Sequence, residues 1–235
     1  MKLLILAGGF GTRLQHLGLD VPKALMPVGS SSFLELQLEN WLLQGINSFV
    51  FLLHHQADRI TQYLHSVEGS LLEGCEMSIV EEESPLDTGG AIANAVKELA
   101  LVGDFLVTNA DTWLGAGIAD MQKTNSPAIA VLHVDEGSRF GSVDFDESQA
   151  VIGFNEKDPL RTECWISAGM YRLNARLFAD WLGDKYSIER EMFPLLLNEK
   201  KLRAVKIESD FIDIGVPEDY RRFCRWIDAG RSYPL

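Results

Sequence analysis

The chain has 235 residues, of which 46% are hydrophobic and 23% are charged, which suffices for one large α/β core or two small ones. Its net charge of −13 excludes a general binder of nucleic acids or anionic membranes, because such binding depends on a surplus of Lys and Arg. Three cysteines without a CxxC pair argue against a disulfide scaffold or a zinc module and predict a reducing compartment, the cytoplasm. The apolar run Leu3–Ala7 is shorter than a membrane helix or a signal-peptide core, so we expect mature structure there.

Short continuous apolar runs alternate with longer helical segments over the first part of the chain. Such runs predict buried strands, and strands separated by helices indicate a mostly parallel, Rossmann-like sheet flanked by helices. In chain order we predict strand Leu3–Ala7, helix Phe33–Leu43, strand Phe49–Leu53, helix Ile60–Leu64, strand Met77–Val80, helix Ala91–Leu99, and strands Phe105–Thr108 and Ala128–Val134.

After about residue 135 the pattern changes to alternating polar and apolar residues, which is typical of a hairpin. Here we predict a hairpin of Ser142–Asp146 and Ala150–Phe154, strand Ala168–Leu173, helix Ile188–Leu197, strand Leu202–Ile207 and helix Pro217–Ile227. We therefore expect one α/β domain over residues 1–235, whose second half, from about residue 136, forms a smaller lobe.

The strongest motif is LAGGFGTRL at Leu6–Leu14, where a strand runs into three closely spaced glycines and an arginine, Arg13. Glycines allow backbone N–H groups to approach a phosphate chain, and a guanidinium matches phosphate oxygens in a planar fork. The structural alternative is a tight strand-to-helix turn with a surface arginine. Because no Gly-Lys-Ser/Thr follows, the motif is not a Walker A loop.

Two further features carry charge in apolar surroundings. Lys23 lies between Pro22 and Pro27, on a stiff segment that presents one ammonium, although a surface lysine is the simpler interpretation. Asp111 follows the strand Phe105–Thr108, and Asp213 interrupts an apolar stretch. Two such carboxylates suit Mg²⁺ together with phosphates, whereas a helix cap for Asp111 and a turn residue for Asp213 are the structural alternatives.

LAGGFGTRL followed by PKALMPV resembles the signature of the sugar-1-phosphate nucleotidyltransferases, also called NDP-sugar pyrophosphorylases. Six further segments resemble family motifs in the same order, so that the resemblance runs from residue 3 to about residue 220: PLDTGGAI at 85–92, NADT at 109–112, FGSV at 140–143, FNEK at 154–157, SAGMY at 167–171 and FIDIGVPEDY at 211–220. PLDTGGAI and FIDIGVPEDY resemble most the branch that acts on D-glycero-D-manno-heptose 1-phosphate.

The resemblance implies transfer of a nucleotidyl group from an NTP, in this branch GTP, to a sugar 1-phosphate, here D-glycero-α-D-manno-heptose 1-phosphate, with release of pyrophosphate. It implies Mg²⁺ or Mn²⁺ as cofactor, allows a homo-oligomer, and assigns nucleotide binding to residues 1–135 and sugar phosphate binding to residues 136–235, approximately. By residue it implies catalytic Arg13 and Lys23; nucleotide-binding Leu6, Ala7, Gly8, Gly9, Gly11, Thr12, Glu82, Asp87, Thr88 and Gly89; sugar-phosphate-binding Gly141, Glu156, Lys157 and Gly169; and metal-binding Asp111 and Asp213.

Several alternatives stay open from the sequence. Asp87 stands where the family commonly has Gly, and His54-His55-Gln56 replaces a tyrosine-containing segment, so mannose-1-phosphate guanylyl transfer, or hexose-1-phosphate thymidylyl, uridylyl or cytidylyl transfer, compete with the heptose reaction. A non-catalytic sensor subunit would be expected to lose the charged residues that this chain keeps. A Rossmann dehydrogenase would need an acidic residue after the second strand, where the chain has Leu53 and His54.

Overall fold

The computed structural model of the chain describes residues 1–11, 14, 20–135, 137, 139–155, 158 and 162–231. Its strands follow the apolar runs of the sequence. In chain order they are β1 Leu3–Leu6, β2 Pro27–Val28, β3 Ser31–Ser32, β4 Ser48–Leu53, β5 Glu76–Glu81, β6 Asp104–Asn109, β7 Thr112–Leu114, β8 Ala128–Val134, β9 Ser142–Phe145, β10 Val151–Asn155, β11 Cys164–Asn174, β12 Arg203–Lys206 and β13 Phe211–Asp213.

The α-helices are α1 Phe33–Leu43, α2 Ala57–Val67, α3 Asp87–Glu98, α4 Ile118–Lys123, α5 Phe193–Asn198 and α6 Pro217–Asp228. Single turns of 3₁₀-helix cover Lys23–Leu25 and Ala175–Phe178, and a π-helical turn covers Ile188–Met192. The local sequence sets where α1 begins. The Ser32 hydroxyl accepts from the Glu35 amide at 3.1 Å, and the Glu35 carboxylate accepts from the Ser32 amide at 3.4 Å. This capping box satisfies two amides of the first turn.

The chain divides into two compact units that are each assembled from separate segments. The N-terminal unit contains Lys2–Pro85, Thr108–Gly115 and Asp210–Leu235. The central unit contains Leu86–Val107 and Ala116–Ser209, together with Met1.

In the N-terminal unit, β1, β4 and β5 pair in parallel, with Leu3 opposite Phe49 and Ser48 opposite Glu76. All six residues of β4 are buried, which is the pattern of a strand covered on both faces. A second layer of core joins the antiparallel ribbon of β7 and β13 to α1 and α6, through the rings of Phe33, Trp113, Phe223 and Trp226. This ribbon contains Asp213 and directly follows Asp111, and so fixes the positions of both.

In the central unit, β11 pairs antiparallel with β8, and β12 pairs parallel with β8. The hairpin of β9 and β10 joins this sheet where Ser142 lies opposite Ile166. Arg172 on β11 binds Asp104 on β6 through two guanidinium nitrogens, at 3.1 and 2.7 Å. The central unit therefore has the antiparallel content that the hairpin pattern predicts.

The predicted mostly parallel sheet flanked by helices is confirmed by the parallel pairing of β1, β4, β5, β8 and β12. Three helices differ from the prediction by more than two residues at an end. Helix α2 spans Ala57–Val67, where the sequence predicts only Ile60–Leu64. Helix α3 begins at Asp87 instead of Ala91, because the glycines 89 and 90 pack inside its first turn and do not precede it. The segment predicted as the helix Ile188–Leu197 begins as a π-helical turn and becomes α5 only at Phe193, because Pro194 has no amide to continue a regular hydrogen-bond ladder.

The predicted elements omit the ribbon of β7 and β13 and the short helix α4. All three cysteines are free in the structure. Among the described residues, no helix has the length and apolar character needed to cross a membrane.

Candidate active site

The glycine-rich segment leaves the carboxyl end of β1 in the N-terminal unit and turns beside β4. The Ala7 amide donates to the Leu52 carbonyl at 2.9 Å, and the His55 amide donates to the Gly8 carbonyl at 3.4 Å. A Cβ at Gly8 would lie 3.2 Å from the Cβ of His54, so a side chain there would crowd the neighbouring strand end. Gly11 has a φ of +58°, which glycine adopts without steric cost. These contacts explain two of the three glycines by backbone geometry.

Phe10 lies at the tip of this segment, and half of its surface is exposed. Its ring centroid is 5.0 Å from that of His55 and 5.8 Å from that of His54, the latter in an edge-to-face arrangement. Neither histidine is among the site residues that the sequence predicts. Their position directly after β4 was the available signal, because ligands of open α/β sheets bind at the carboxyl ends of the strands.

Lys23 lies in the 3₁₀ turn that follows Pro22, and its side chain is only 11% exposed. Its ammonium is 2.5 Å from Oδ2 of Asp111 and 3.6 Å from Oδ1 of Asp213. The structure therefore brings together three of the charged residues that the sequence singled out, and it places one cation between two carboxylates. A free surface lysine, the alternative for Lys23, is excluded by this burial and pairing.

The β7–β13 ribbon explains why Asp111 and Asp213 meet. Asp213 is the cross-strand partner of Thr112, and the Ile214 amide donates to the Asp111 carbonyl at 3.0 Å. Because Asp111 precedes a strand and not a helix, the helix-cap alternative for it is wrong. The Gly215 amide donates to Oδ1 of Asp213 at 2.6 Å, so Asp213 does stabilise the turn while it also faces Lys23.

The two carboxylates fit a divalent cation. They supply hard oxygen donors, converge on one positive charge, and have side chains that are 36% and 40% exposed, so that further ligands can reach them. The described part of the chain contains no group of three or more His, Cys, Asp or Glu residues arranged to hold a metal. Two carboxylates are a donor set that Mg²⁺ commonly takes, with phosphate oxygens and water completing its octahedron.

Glu82 is buried at the end of β5, whereas its neighbours Glu81 and Glu83 are exposed. Its amide donates to the Leu53 carbonyl at 2.9 Å, and its own carbonyl lies 3.0 Å from Nδ1 of His54. Its carboxylate lies beside Gly8, since Oε1 is 3.5 Å from where a Cβ would stand at that glycine. The structure thus distinguishes Glu82 from Glu83 as the acidic group beside the glycine-rich segment.

Three other predicted residues, Asp87, Thr88 and Gly89, form the first turn of α3 in the central unit. The Thr88 amide donates to the Asp87 carboxylate at 2.8 Å, and the Gly89 amide donates to the Tyr186 carbonyl at 3.0 Å. These backbone donors are satisfied within the protein, so this turn does not present them as the free anion-binding amides that a helix start would offer.

The predicted sugar-phosphate residues that the structure describes are two glycines of the central unit. A Cβ at Gly141 would lie 2.9 Å from the Asn155 carbonyl oxygen, which requires glycine where β9 and β10 converge. Gly169 has a φ of +68° within an irregularity of β11, and its amide donates to the Ser167 hydroxyl at 3.2 Å. Four more predicted residues, Thr12, Arg13, Glu156 and Lys157, lie outside the described residues.

The profile of the Nucleotidyl transferase family matches residues 2–231. The chain belongs to this family. This nucleotidyltransferase is 32% identical over 225 residues to the D-glycero-alpha-D-manno-heptose 1-phosphate guanylyltransferase of Campylobacter jejuni, with 95% of this chain and 98% of the relative covered. It is 31% identical to the mannose-1-phosphate guanylyltransferase catalytic subunit beta of Dictyostelium discoideum, with 94% of this chain but only 62% of that relative covered.

A solved structure agrees with the fold of this nucleotidyltransferase. HddC from Yersinia pseudotuberculosis, whose crystal structure is complexed with GMP-PN, superposes with a TM-score of 0.81 at 31% identity and covers 96% of this chain and 99% of that chain. The predicted family, fold and reaction class are therefore confirmed, and the dehydrogenase alternative is wrong.

Proposed function

We propose that this nucleotidyltransferase transfers a guanylyl group from GTP to D-glycero-α-D-manno-heptose 1-phosphate and releases pyrophosphate. The observation that carries the proposal is the convergence of Lys23, Asp111 and Asp213 in the unit that also holds the glycine-rich segment. Similarity over nearly the whole length of the Campylobacter heptose enzyme supports the choice of substrates.

The chemistry requires charge neutralisation more than covalent catalysis. An oxygen of the sugar phosphate attacks the α-phosphorus of the nucleotide in line, a new P–O bond forms, and the bond to the β-phosphate oxygen breaks, so that pyrophosphate leaves with its electron pair. Phosphoryl and nucleotidyl transfers of this kind depend on positioning and on electrostatic stabilisation. In a chain with a net charge of −13, local cations must supply that stabilisation, and we assign Lys23 and Arg13 to the nucleotide phosphates.

Asp111 and Asp213 are proposed to hold Mg²⁺ or Mn²⁺ together with the phosphates. When bound, such a cation neutralises negative charge on the phosphate oxygens. In the structure the Lys23 ammonium occupies the region between the two carboxylates, and this proximity indicates that the site stabilises positive charge. Lys23 then serves both to balance the aspartates and to reach the phosphates.

Glu82 is proposed to select the base. Guanine presents N1–H and N2–H side by side, and a carboxylate can accept from both. Thymine has a single N–H donor, and cytosine has an acceptor at N3, so a buried carboxylate opposite either base would lack a partner. The burial of Glu82 beside Gly8 supports this assignment over Glu83.

The remaining assignments rest on the family motifs. Leu6, Ala7, Gly8, Gly9, Gly11 and Thr12, with Asp87, Thr88 and Gly89, are proposed to contact the nucleotide. Gly141, Glu156, Lys157 and Gly169 are proposed to contact the sugar phosphate, with Lys157 neutralising its charge. The free state of Cys75, Cys164 and Cys224 supports a reducing compartment, the cytoplasm.

Mannose 1-phosphate is the second candidate acceptor, because a mannose-1-phosphate guanylyltransferase is also among the relatives, although the chain spans only 62% of its length. Heptose differs from mannose by one CHOH group beyond C6. If only filling of a pocket distinguishes them, we expect a preference of about 10- to 200-fold.

The experiment is a matrix of GTP, dTTP, UTP, CTP and ATP against heptose, mannose and glucose 1-phosphates, scored by pyrophosphate release. The proposal predicts the highest kcat/KM for GTP with the heptose. A tenfold preference for dTTP, UTP or CTP would refute the guanine assignment, and a preference for glucose 1-phosphate would refute the heptose assignment while the reaction class stands.

A further inference from the structure

The first turn of α3 is bound closely to a distant segment of the same unit, Asp184–Met192. The Tyr186 amide donates to the Leu86 carbonyl at 3.1 Å, and the Tyr186 carbonyl accepts from the amides of Gly89 and Gly90 at 3.0 and 3.2 Å. A Cβ at Gly89 would lie 2.6 and 2.7 Å from carbons of the Tyr186 ring, and one at Gly90 would lie 2.8 Å from Leu86 Cβ. Residues 86–90, which we call the α3 loop, therefore have their conformation set by this contact.

Glu189 is the centre of the side-chain contacts between the two segments. Its Oε2 accepts from the hydroxyls of Thr88 at 2.8 Å and Ser187 at 3.0 Å, and its Oε1 accepts from the Tyr171 hydroxyl at 3.1 Å. The Thr88 hydroxyl in turn accepts from the Ile188 amide at 3.0 Å. Three hydroxyl donors on one carboxylate form a connected network, and hydrogen bonds to an ionised group are the stronger ones.

The burial of its partner Tyr171, together with the exposure of Arg190, identifies Glu189 and not Arg190 as the main contact. Arg190 binds the Asp87 carboxylate at 2.8 Å, but its side chain is 76% exposed, and exposed ion pairs contribute little. Tyr171, in contrast, is buried, and burial together with the Glu189 charge raises its pKa well above the ordinary value. Its phenol therefore keeps its proton and remains a donor to Glu189 throughout the neutral range.

The backbone around Glu189 is also unusual. It lies in the π-helical turn Ile188–Met192, which directly precedes α5. On the other side of the contact, Asp87 adopts a φ of +61°, which is uncommon for a non-glycine residue and which aspartate tolerates because its short side chain bonds locally. Both segments thus adopt conformations that are maintained by their mutual contacts.

We propose that Glu189 is a positioning residue, which fixes the α3 loop through Thr88 and thereby sets the affinity of the enzyme for its nucleotide. The inference rests on the proposed function, in which Asp87, Thr88 and Gly89 contact the nucleotide. Glu189 itself touches no substrate in this account. Its removal affects the nucleotide through the loop and leaves the chemical step and the sugar phosphate site intact.

Hydrogen exchange of the protein without substrates tests whether Glu189 fixes the conformation of the α3 loop. Glu189→Gln keeps the size of the side chain and removes the charge, so the amides of Gly89 and Gly90 should exchange about tenfold faster, as expected when charge-assisted hydrogen bonds are lost. Thr88→Val, which removes the hydroxyl partner, should act in the same direction. The double variant should increase exchange by less than the two single effects combined, because the two residues share the Thr88–Glu189 hydrogen bond.

Steady-state kinetics test whether Glu189 sets the affinity for the nucleotide. Glu189→Gln should raise the KM for GTP about tenfold while kcat and the KM for the heptose 1-phosphate stay within about twofold of the wild-type values. The matched control is Glu199→Gln, which removes the same charge from an exposed pair with Lys201 and should change neither readout.

The failures of the two proposals are distinguishable. Wild-type enzyme that does not use GTP would refute the proposed function, while faster exchange in Glu189→Gln would still support the role of Glu189 in fixing the loop. Wild-type enzyme that uses GTP, with unchanged loop exchange and an unchanged KM for GTP in both Glu189→Gln and Thr88→Val, would overturn the positioning role. Equal losses for both substrates would overturn it too, since they would indicate a general structural defect.

Discussion

At the scale of single residues, the central feature is a lysine held between two aspartates. The ammonium of Lys23 contacts Asp111 at 2.5 Å and Asp213 at 3.6 Å. An isolated buried ammonium would be costly, and the two carboxylates offset that cost before any substrate arrives. In the proposed function, this lysine charge neutralises the phosphates of the nucleotide.

Lys23→Ala is therefore predicted to lower kcat with both substrates saturating. Loss of one electrostatic contact in the transition state costs about 2–4 kcal/mol in comparable sites. Lys2→Ala is the matched control, because Lys2 lies in the same unit and pairs with Glu76 at 3.0 Å. An unchanged kcat in Lys23→Ala, or an equal loss in Lys2→Ala, would contradict the assigned role.

Glu82→Gln is predicted to weaken the preference for GTP over the other nucleotides. A buried carboxylate that accepts two donors loses about 1.5–3 kcal/mol when one hydrogen bond to the charged group is removed. The ratio of kcat/KM for GTP to that for dTTP should therefore fall by at least about tenfold. Glu83→Gln serves as the control because Glu83 is exposed, and a larger effect there than at Glu82 would reverse the assignment.

At the scale of elements, the β7–β13 ribbon depends on the aromatic core beneath it. The Phe223 ring of α6 is 4.9 Å from that of Phe33 and 5.4 Å from that of Trp113 on β7, measured between centroids. Asp213 belongs to this ribbon and Asp111 directly precedes it, so its packing determines whether they meet.

Phe223→Ala should lower the free energy of unfolding by about 3–5 kcal/mol, the range for aromatic truncation in a core. Leu43→Ala, at a residue that is 86% exposed, should change it little. Urea denaturation measures both, and similar stabilities of the two variants would show that the aromatic layer does not hold α6 in place.

Asp104 connects β6 to β11 and gives the central unit a pH-dependent contribution to stability. Burial alone would raise the pKa of Asp104, but hydrogen bonds from Asn174, Ser126 and Arg172 outweigh it and hold the pKa below the ordinary 3.8. A carboxyl whose pKa is lower in the folded state stabilises the fold at pH values above its unfolded pKa. That stabilisation is lost as the pH falls through the folded value.

At pH 7, Asp104→Asn should therefore have a free energy of unfolding about 2 kcal/mol lower than the wild type, because charged hydrogen bonds are lost. This difference should shrink as the pH falls below the ordinary pKa of an aspartate. Denaturant unfolding at a series of pH values checks this, with Asp135→Asn as the control because the Asp135 side chain is 99% exposed. A difference that stays constant down to the most acidic pH would contradict the ionic origin.

The elements also show which parts of the site a sequence can predict. Lys23 was recognisable from its flanking prolines, and Asp111 from its place at the end of an apolar strand. The pairing of Asp111 with Asp213 was implied only by the family resemblance, because β7 and β13 are three residues long and too short to carry a periodic pattern. The contact of Glu189 with Thr88 was equally hidden, since it joins segments about a hundred residues apart and leaves no local signal.

At the scale of the whole molecule, the acidic charge of the chain constrains the reaction. Two polyanionic substrates must meet on a protein of net charge −13, and the described carboxylates of the site outnumber its lysine. We therefore predict that turnover stops in excess EDTA and returns with Mg²⁺ or Mn²⁺. Full turnover in the presence of excess EDTA would contradict the metal assignment.

The two proposed metal-binding aspartates can be tested separately. Asp111→Asn and Asp213→Asn should each raise the Mg²⁺ concentration needed for half-maximal turnover, by roughly tenfold or more, because loss of a carboxylate removes charge from the site. Asp58→Asn, at an exposed residue in the first turn of α2, should leave that concentration unchanged.

The fate of the α-phosphate of GTP tests the central claim most directly. The enzyme is incubated with Mg²⁺, the heptose 1-phosphate and GTP that carries radioactive phosphorus at the α position, and the products are separated. The account predicts that the label appears in a nucleotide sugar while unlabelled pyrophosphate is released in equal amount, and that Lys23→Ala slows both together. Label that remains in GTP, or that is released as free GMP without a sugar adduct, would contradict nucleotidyl transfer from GTP to the heptose.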